Sequence, residues 1–161
     1  MHAIHFSSLE ALATTFVNLA AAFLLGALIG IERQVRQRTA GLRTNTLVAV
    51  GAAIFVSLGT RLFEINGGSQ TPIHIVAYVV SGIGFLGAGA ILKQDGKERV
   101  TGLTTAAGIW MTAAIGMAAG MGMQTVALAT TMAALAVLSL LPRLMPDRKI
   151  DPDTPDDAID T

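Results

Sequence analysis

The side chains best suited to chemistry lie at the borders of apolar runs. A carboxylate there can bind a cation, a guanidinium can bind an anion, and hydroxyl and amide groups can complete either site. Most of these side chains belong to one short polar insert, residues 32–45, and the rest open a later apolar run. The candidate polar site consists of Glu32, Arg33, Arg43, Thr44, Asn45, Thr104 and Thr105.

Two interpretations of Glu32 stay open. In the first it is a surface acid paired with Arg36 four residues later, or with Arg33, which stabilises a helix by only about 0.5 kcal/mol. In the second it is a buried carboxylate that binds a cation or pairs with Arg43 across a helix interface. A short carboxylate at a membrane border reaches water less easily than a long basic side chain does.

The polar side chains near the starts of two apolar runs also have two interpretations. Thr44 or Asn45 is expected to cap the helix that follows, because both residue types bond to free backbone N–H groups. Thr104 and Thr105 are equally suitable caps for a later helix. Alternatively, these hydroxyls line a polar pocket that faces Asn45.

Metal and catalytic chemistry have little support in the sequence. Glu32 and Asp95 are weak candidates for a Mg²⁺ site, since Mg²⁺ needs only one or two carboxylates besides water. The chain has no cysteine, which excludes thiolate ligands and cysteine nucleophiles. No catalytic set of histidine, acid and nucleophile can be assembled, so we do not predict an enzyme, and no cofactor follows beyond the possibility of Mg²⁺.

The composition indicates an all-α membrane protein. Of the 161 residues, 52% are hydrophobic and 14% are charged, whereas soluble domains carry roughly 25% charged residues. The apolar residues come in blocks long enough to cross a bilayer, and mean hydropathy is +0.60. We predict a transmembrane domain over residues 1–142 and an acidic, disordered tail over residues 143–161. The predicted spans are about 9–31, 46–62, 73–92, 103–119 and 124–141.

The basic residues predict how the spans are oriented. Ten of the eleven lysines and arginines fall in the first insert, the third connection or the tail, and only Arg61, near the far end of the second span, lies on the other side. Since basic loops stay in the cytoplasm, five spans place the N-terminus outside and the C-terminus in the cytoplasm.

Glycines recur at spacings that favour close helix packing. Residues 82–87 match the G-x-G-x-x-G pattern, but they lie inside an apolar span, where a nucleotide cannot reach them. We interpret the glycines as packing residues, with a locally broken helix as the alternative. The expected packing residues are Gly26, Gly30, Gly82, Gly84, Gly87, Gly89, Gly116 and Gly120.

These stretches together resemble the MgtC/SapB family of bacterial inner-membrane proteins. The resemblance extends from about Leu25 to Gly122, and it places Glu32, Arg33, Arg43, Asn45 and Thr104 within family motifs. The blocks that carry it are residues 26–34, 38–48, 80–91 and 101–110.

The resemblance implies a role rather than a mechanism. Members are tied to growth when magnesium is scarce and to survival of pathogens inside host cells. It implies a regulator that associates with another membrane complex, such as the ATP synthase, or alternatively a transporter or channel for Mg²⁺ or another cation. The expected partners are the lipid bilayer, a second copy of the chain and a larger membrane complex, without nucleic acid.

This chain departs from the family pattern in two respects. Many members carry a C-terminal ACT-like domain, whereas this sequence ends in an acidic tail. Position 101 is Thr where members often have Arg, so that basic contact is absent.

Overall fold

Five helices and one short hairpin make up the part of the chain that the computed structural model describes, namely residues 9–65, 73–93 and 100–144. The predicted acidic tail falls almost wholly outside these residues, as does Asp95. The helices are α1 (Leu9–Val35), α2 (Leu42–Ile65), α3 (Ile73–Ala90), α4 (Leu103–Gly120) and α5 (Gln124–Leu144), and the strands are β1 (Leu92–Lys93) and β2 (Val100–Thr101).

All five helices are long and apolar enough to cross a membrane. At 1.5 Å per residue, the shortest, of 18 residues, spans about 27 Å, close to the thickness of a bilayer's hydrocarbon core. The all-α membrane fold is therefore confirmed, and the chain is a multi-pass membrane protein.

Several helices extend past their predicted ends. Helix α2 begins at Leu42, about one turn before the predicted start, and α5 continues through Pro142 to Leu144. Proline lacks the N–H that would bond to the carbonyl four residues earlier. Near a helix end this loss is small, so Pro142 did not stop the helix as predicted.

The hairpin between α3 and α4 was not predicted. Leu92 pairs with Thr101 and Lys93 with Val100 in antiparallel register. Gly102 then turns the chain into α4 with φ of 94°, and a side chain here would collide with the carbonyl of Ala90. Two-residue strands are too short to produce an alternating sequence pattern, so hydropathy alone could not reveal them.

The core of the bundle lies where α1, α2 and α4 meet. Gly26 and Gly30 of α1 approach α2 so closely that an added Cβ would lie 2.6 Å from Ala49 Cβ and from Leu42 Cα, respectively. Any larger residue would push the helices apart, so these two glycines allow the close contact between α1 and α2.

Glycines also allow a close contact between α2 and α4. A Cβ on Gly116 would lie 2.7 Å from the Cα of Ala49, and one on Gly120 would lie 2.7 Å from the Cα of Ala53. Small residues on both sides therefore bring the two backbones together, as membrane helix pairs often require.

The predicted packing glycines of α3 behave differently. An added Cβ on Gly82, Gly84 or Gly89 would meet nothing within 4 Å, and one on Gly87 would make only an ordinary contact with Ala106. None of the described residues of α3 is buried. Packing within the chain was thus the wrong interpretation for the first three, and the helix is continuous rather than broken.

Candidate functional site

The predicted polar residues do not form one pocket, because the structure places five of them at three separate sites and puts Thr104 and Arg43 outside all three. At the first, Glu32 pairs with Arg36 through Oε1 and accepts a hydrogen bond of 3.4 Å from Ser139 Oγ. Arg36 Nη2 in turn donates to the Ser139 carbonyl at 2.9 Å. This arrangement, the α1–α5 latch, joins the ends of α1 and α5.

The Ser139 carbonyl is well placed to accept this bond. A carbonyl oxygen has two lone pairs, so it can accept from a side chain as well as from a backbone N–H. The pairing of Glu32 with Arg36 had been the simpler interpretation from sequence. Ser139 was missed, since a serine near the end of an apolar run carries no distinctive signal.

Arg33 shares this corner and is almost wholly buried, with 3% of its surface exposed. Its Nη1 lies 3.7 Å from Glu32 Oε2, yet Glu32 Oε2 and Arg33 Nε have no hydrogen-bond partner within the described residues. Two guanidinium groups therefore flank the one carboxylate. Their charge opposes binding of a divalent cation at Glu32.

At the second place, Asn45 forms the polar centre of the bundle. It is 1% exposed, and its Nδ2 donates to the carbonyls of Ala40 and Gly41, each at 2.9 Å. Its Oδ1 lies 2.9 Å from Thr112 Oγ1 of α4, which donates either there or to the Gly108 carbonyl. Asn45 thus fastens the α1–α2 turn to α4.

Asn45 and Thr44 lie inside α2, so neither is its N-terminal cap. The helix starts three residues before Asn45, and the Leu42 N–H donates to Gln34 Oε1 at 3.2 Å. A glutamine from the preceding helix therefore takes the capping role predicted for these residues. Arg43 is exposed and forms no ion pair with Glu32 or any other acid that the structure describes.

At the third place, Thr44 and Thr105 line a cavity of about 340 Å³ together with Thr39, which was not predicted. Thr104, one residue from Thr105, points to a different groove between α4 and α5, beside Ile29. Successive helix residues lie about 100° apart, so the two threonines cannot share a pocket. We call the end of the bundle that holds Arg33, Arg36, Arg38 and Arg43 the basic end.

No metal centre is evident in the described part of the chain. No group of three histidines, aspartates or glutamates comes together there. Of the two weak Mg²⁺ candidates, Glu32 lies between arginines, and Asp95 falls outside the described residues.

A further polar cluster lies at the end opposite the basic end. Asn18 Nδ2 and Ser57 Oγ both donate to the Gly120 carbonyl, at 3.3 and 3.0 Å. Gln124 Nε2 donates to Asn18 Oδ1 at 2.8 Å. Asn18, Ser57 and Gly120 border a cavity of about 330 Å³ that Arg61 also lines. The sequence signal that could have revealed the cluster was one amide inside the first apolar run and another at the start of the fifth.

Comparisons with known proteins agree on one family. Residues 19–146 match the MgtC family. The chain is 51% identical over 130 residues to Protein MgtC of Brucella abortus, covering 81% of this chain and 52% of that relative. It is also 51% identical over 125 residues to Protein MgtC of Salmonella typhimurium, with 78% and 51% covered. The chain thus spans about half the length of these curated relatives. No solved structure matches.

Proposed function

Since this chain belongs to the MgtC family, we propose that it is a regulatory protein of the bacterial inner membrane that acts when magnesium is scarce. It works by binding a larger membrane complex, for which the ATP synthase is our first candidate. A role under scarce magnesium is what the resemblance to the family implies. Binding to a larger complex is supported by the surfaces of the helices.

Helix α3 has an exposed surface suited to binding a partner helix. Its outer face presents four small residues, Ala77, Ser81, Gly84 and Ala88, and all four are exposed. Their spacing of four, three and four residues places them in one stripe along the helix. A partner helix can approach such a stripe closely, and close approach is what drives association between helices in lipid.

The glycine in this stripe has no role within the chain. Gly84 lies inside a helix, where glycine is about 1 kcal/mol less favourable than alanine. A Cβ at this position would meet nothing within 4 Å. A partner helix that packs against α3 supplies the reason for glycine there.

The interior of the bundle supports regulation over transport. The buried amide of Asn45 uses both its oxygen and its nitrogen in bonds to the protein. Gly116 and Gly120 close α4 against the backbone of α2. Ion pathways usually carry an acid within the membrane, and between Glu10 and Glu32 α1 has none.

The partner can be tested by reconstituting purified ATP synthase with this protein in vesicles. We expect the protein to lower ATP-driven proton pumping and to co-purify with the enzyme. Gly84→Leu combined with Ala88→Leu should abolish both effects, because leucines keep a partner helix away from α3. Ala129→Leu with Ala136→Leu, at exposed positions of α5, is the matched control. Unchanged pumping with wild-type protein would reject this partner.

Transport of a cation remains the second candidate, favoured by one observation. Glu32 Oε2 is buried without a hydrogen-bond partner among the described residues, so it is available to a cation that displaces Arg33. Mg²⁺ flux into liposomes that contain the purified protein tests this. Flux that is lost in Glu32→Gln and kept in Glu10→Gln, an exposed acid at the opposite end, would establish transport and overturn the regulatory proposal.

A further inference from the structure

A long apolar groove separates α2 from α3. It has a volume of about 560 Å³, and Gly51 and Gly82 form part of its walls without any contact that a Cβ would disturb. Apolar side chains, among them Leu47, Phe55 and Leu86, line the rest of it.

The groove has the length of one membrane leaflet. From Leu47 to Phe55, α2 rises about 12 Å, and half of the hydrocarbon core is about 15 Å thick. Towards the basic end the groove adjoins the cavity lined by Thr39, Thr44 and Thr105, here called the chamber, since Leu86 borders both spaces. An apolar groove and a chamber with three hydroxyl groups therefore lie next to each other.

The chamber is lined by a buried residue whose hydroxyl group is available to a ligand. Thr105 is 6% exposed, and the structure gives it no hydrogen bond to any described residue. Thr44 and Thr105 are each the third residue of their helices, α2 and α4. The chamber therefore lies beside two helix N-termini, whose free N–H groups and dipoles favour an anion.

The charged residues next in sequence to two of the chamber's threonines are both basic. Arg38 directly precedes Thr39, and Arg43 directly precedes Thr44. Both arginines are exposed, and neither pairs with an acid in the described part of the chain. A negatively charged group in the chamber would meet three hydroxyls, and the long side chains of Arg38 and Arg43 start one residue away from two of them.

We infer that this composite site binds one anionic phospholipid from the leaflet at the basic end. An acyl chain lies in the α2–α3 groove, and the phosphate lies in the chamber among Thr39, Thr44 and Thr105. Arg38 and Arg43 make the site selective for a headgroup with net negative charge. This inference does not depend on the proposed partner, because the groove lies on the side of α3 opposite to the small-residue stripe.

The inference can be tested by native mass spectrometry of the delipidated protein with equal amounts of phosphatidylglycerol and phosphatidylethanolamine carrying the same acyl chains. We expect the wild-type protein to retain phosphatidylglycerol about 25-fold better. Arg38→Gln and Arg43→Gln should each reduce that preference about fivefold. Thr105→Val, which keeps the shape of the side chain, should weaken phosphatidylglycerol binding about tenfold.

Substitutions at two glycines of α3 test whether the groove holds the acyl chain. Gly82→Leu places a side chain in the groove without a clash, and it should reduce binding of both lipids at least about tenfold. Gly84→Leu is the matched control, since it lies about 200° around the helix and is equally free of contacts. Equal retention of the two lipids by wild-type protein would overturn the inference, as would equal effects of the two leucine substitutions.

Discussion

Helices α3 and α4 make an informative pair, because they are neighbours of equal length with opposite surroundings. Each has 18 residues, but about half of α4 is buried in the bundle, whereas none of the described residues of α3 is. The more exposed helix is the more apolar one, with a mean hydropathy of 1.7 against 1.3. In a bilayer, lipid is as apolar as a protein core, so hydrophobicity does not decide which helix lies inside.

The glycines of the two helices differ in the same way. Gly116 and Gly120 of α4 allow contact with the backbone of α2, whereas Gly82 and Gly84 of α3 touch nothing that a Cβ would disturb. Glycines at similar spacings therefore have different roles in the two helices. In α4 the glycines hold the fold together, and in α3 they leave surfaces open, which we assign to a lipid on one side and a protein partner on the other.

The largest expected effect comes from placing valine at one glycine of each helix. Gly116→Val should destabilise the fold by about 3 kcal/mol or more, because the side chain meets the backbone of Ala49, which cannot move aside. Gly84→Val should change stability by less than about 0.5 kcal/mol. The free energy of unfolding can be followed by SDS titration with the fluorescence of Trp110. Equal losses in the two variants would contradict the contrast between the helices.

The buried amide of the core gives the next largest effect. Asn45→Leu should cost about 2–3 kcal/mol, because the buried carbonyl of Ala40 loses its donor and the bond to Thr112 is lost as well. Thr112→Val should cost only about 1 kcal/mol, near the usual value for a hydrogen bond between membrane helices. The same titration measures both, with Thr44→Val at an exposed position as the control. A neutral Asn45→Leu would show that this bond network is not needed.

A smaller effect is expected at the α1–α5 latch. Arg36→Gln should destabilise the protein by about 1–2 kcal/mol, since Glu32 and the Ser139 carbonyl both lose a charged donor. Arg38→Gln, at an exposed arginine two residues along, should cost less than about 0.5 kcal/mol. Thermal unfolding of the two variants in the same detergent compares them directly. A loss at Arg38 as large as at Arg36 would argue against the latch.

The smallest effect should have the opposite sign. Gly84→Ala is expected to stabilise the isolated protein by about 0.5–1 kcal/mol, because alanine is the better helix former and there is free space for its methyl group. Gly26→Ala should destabilise it, since its Cβ would lie 2.6 Å from that of Ala49. If Gly84→Ala also destabilises the protein, α3 is packed more tightly than the structure shows.

Much of the fold was predictable from the sequence. Five apolar runs separated by polar residues predicted five helices, and the motif blocks predicted the family. Both properties are local, since they depend on the order of residues along the chain and on the cost of exposing backbone groups to lipid. Which end of the bundle faces the cytoplasm stays a prediction from the basic residues.

The tertiary structure decided which residues meet. It separated Thr104 from Thr105, joined Glu32 to Ser139 across 107 positions of sequence, and placed Asn45 against Thr112. It also distinguished the glycines of α4 from those of α3. The sequence determines the angular position of a residue on its own helix. Which neighbour lies at that angle depends on how the five helices pack together. In lipid, hydropathy carries little information about that packing.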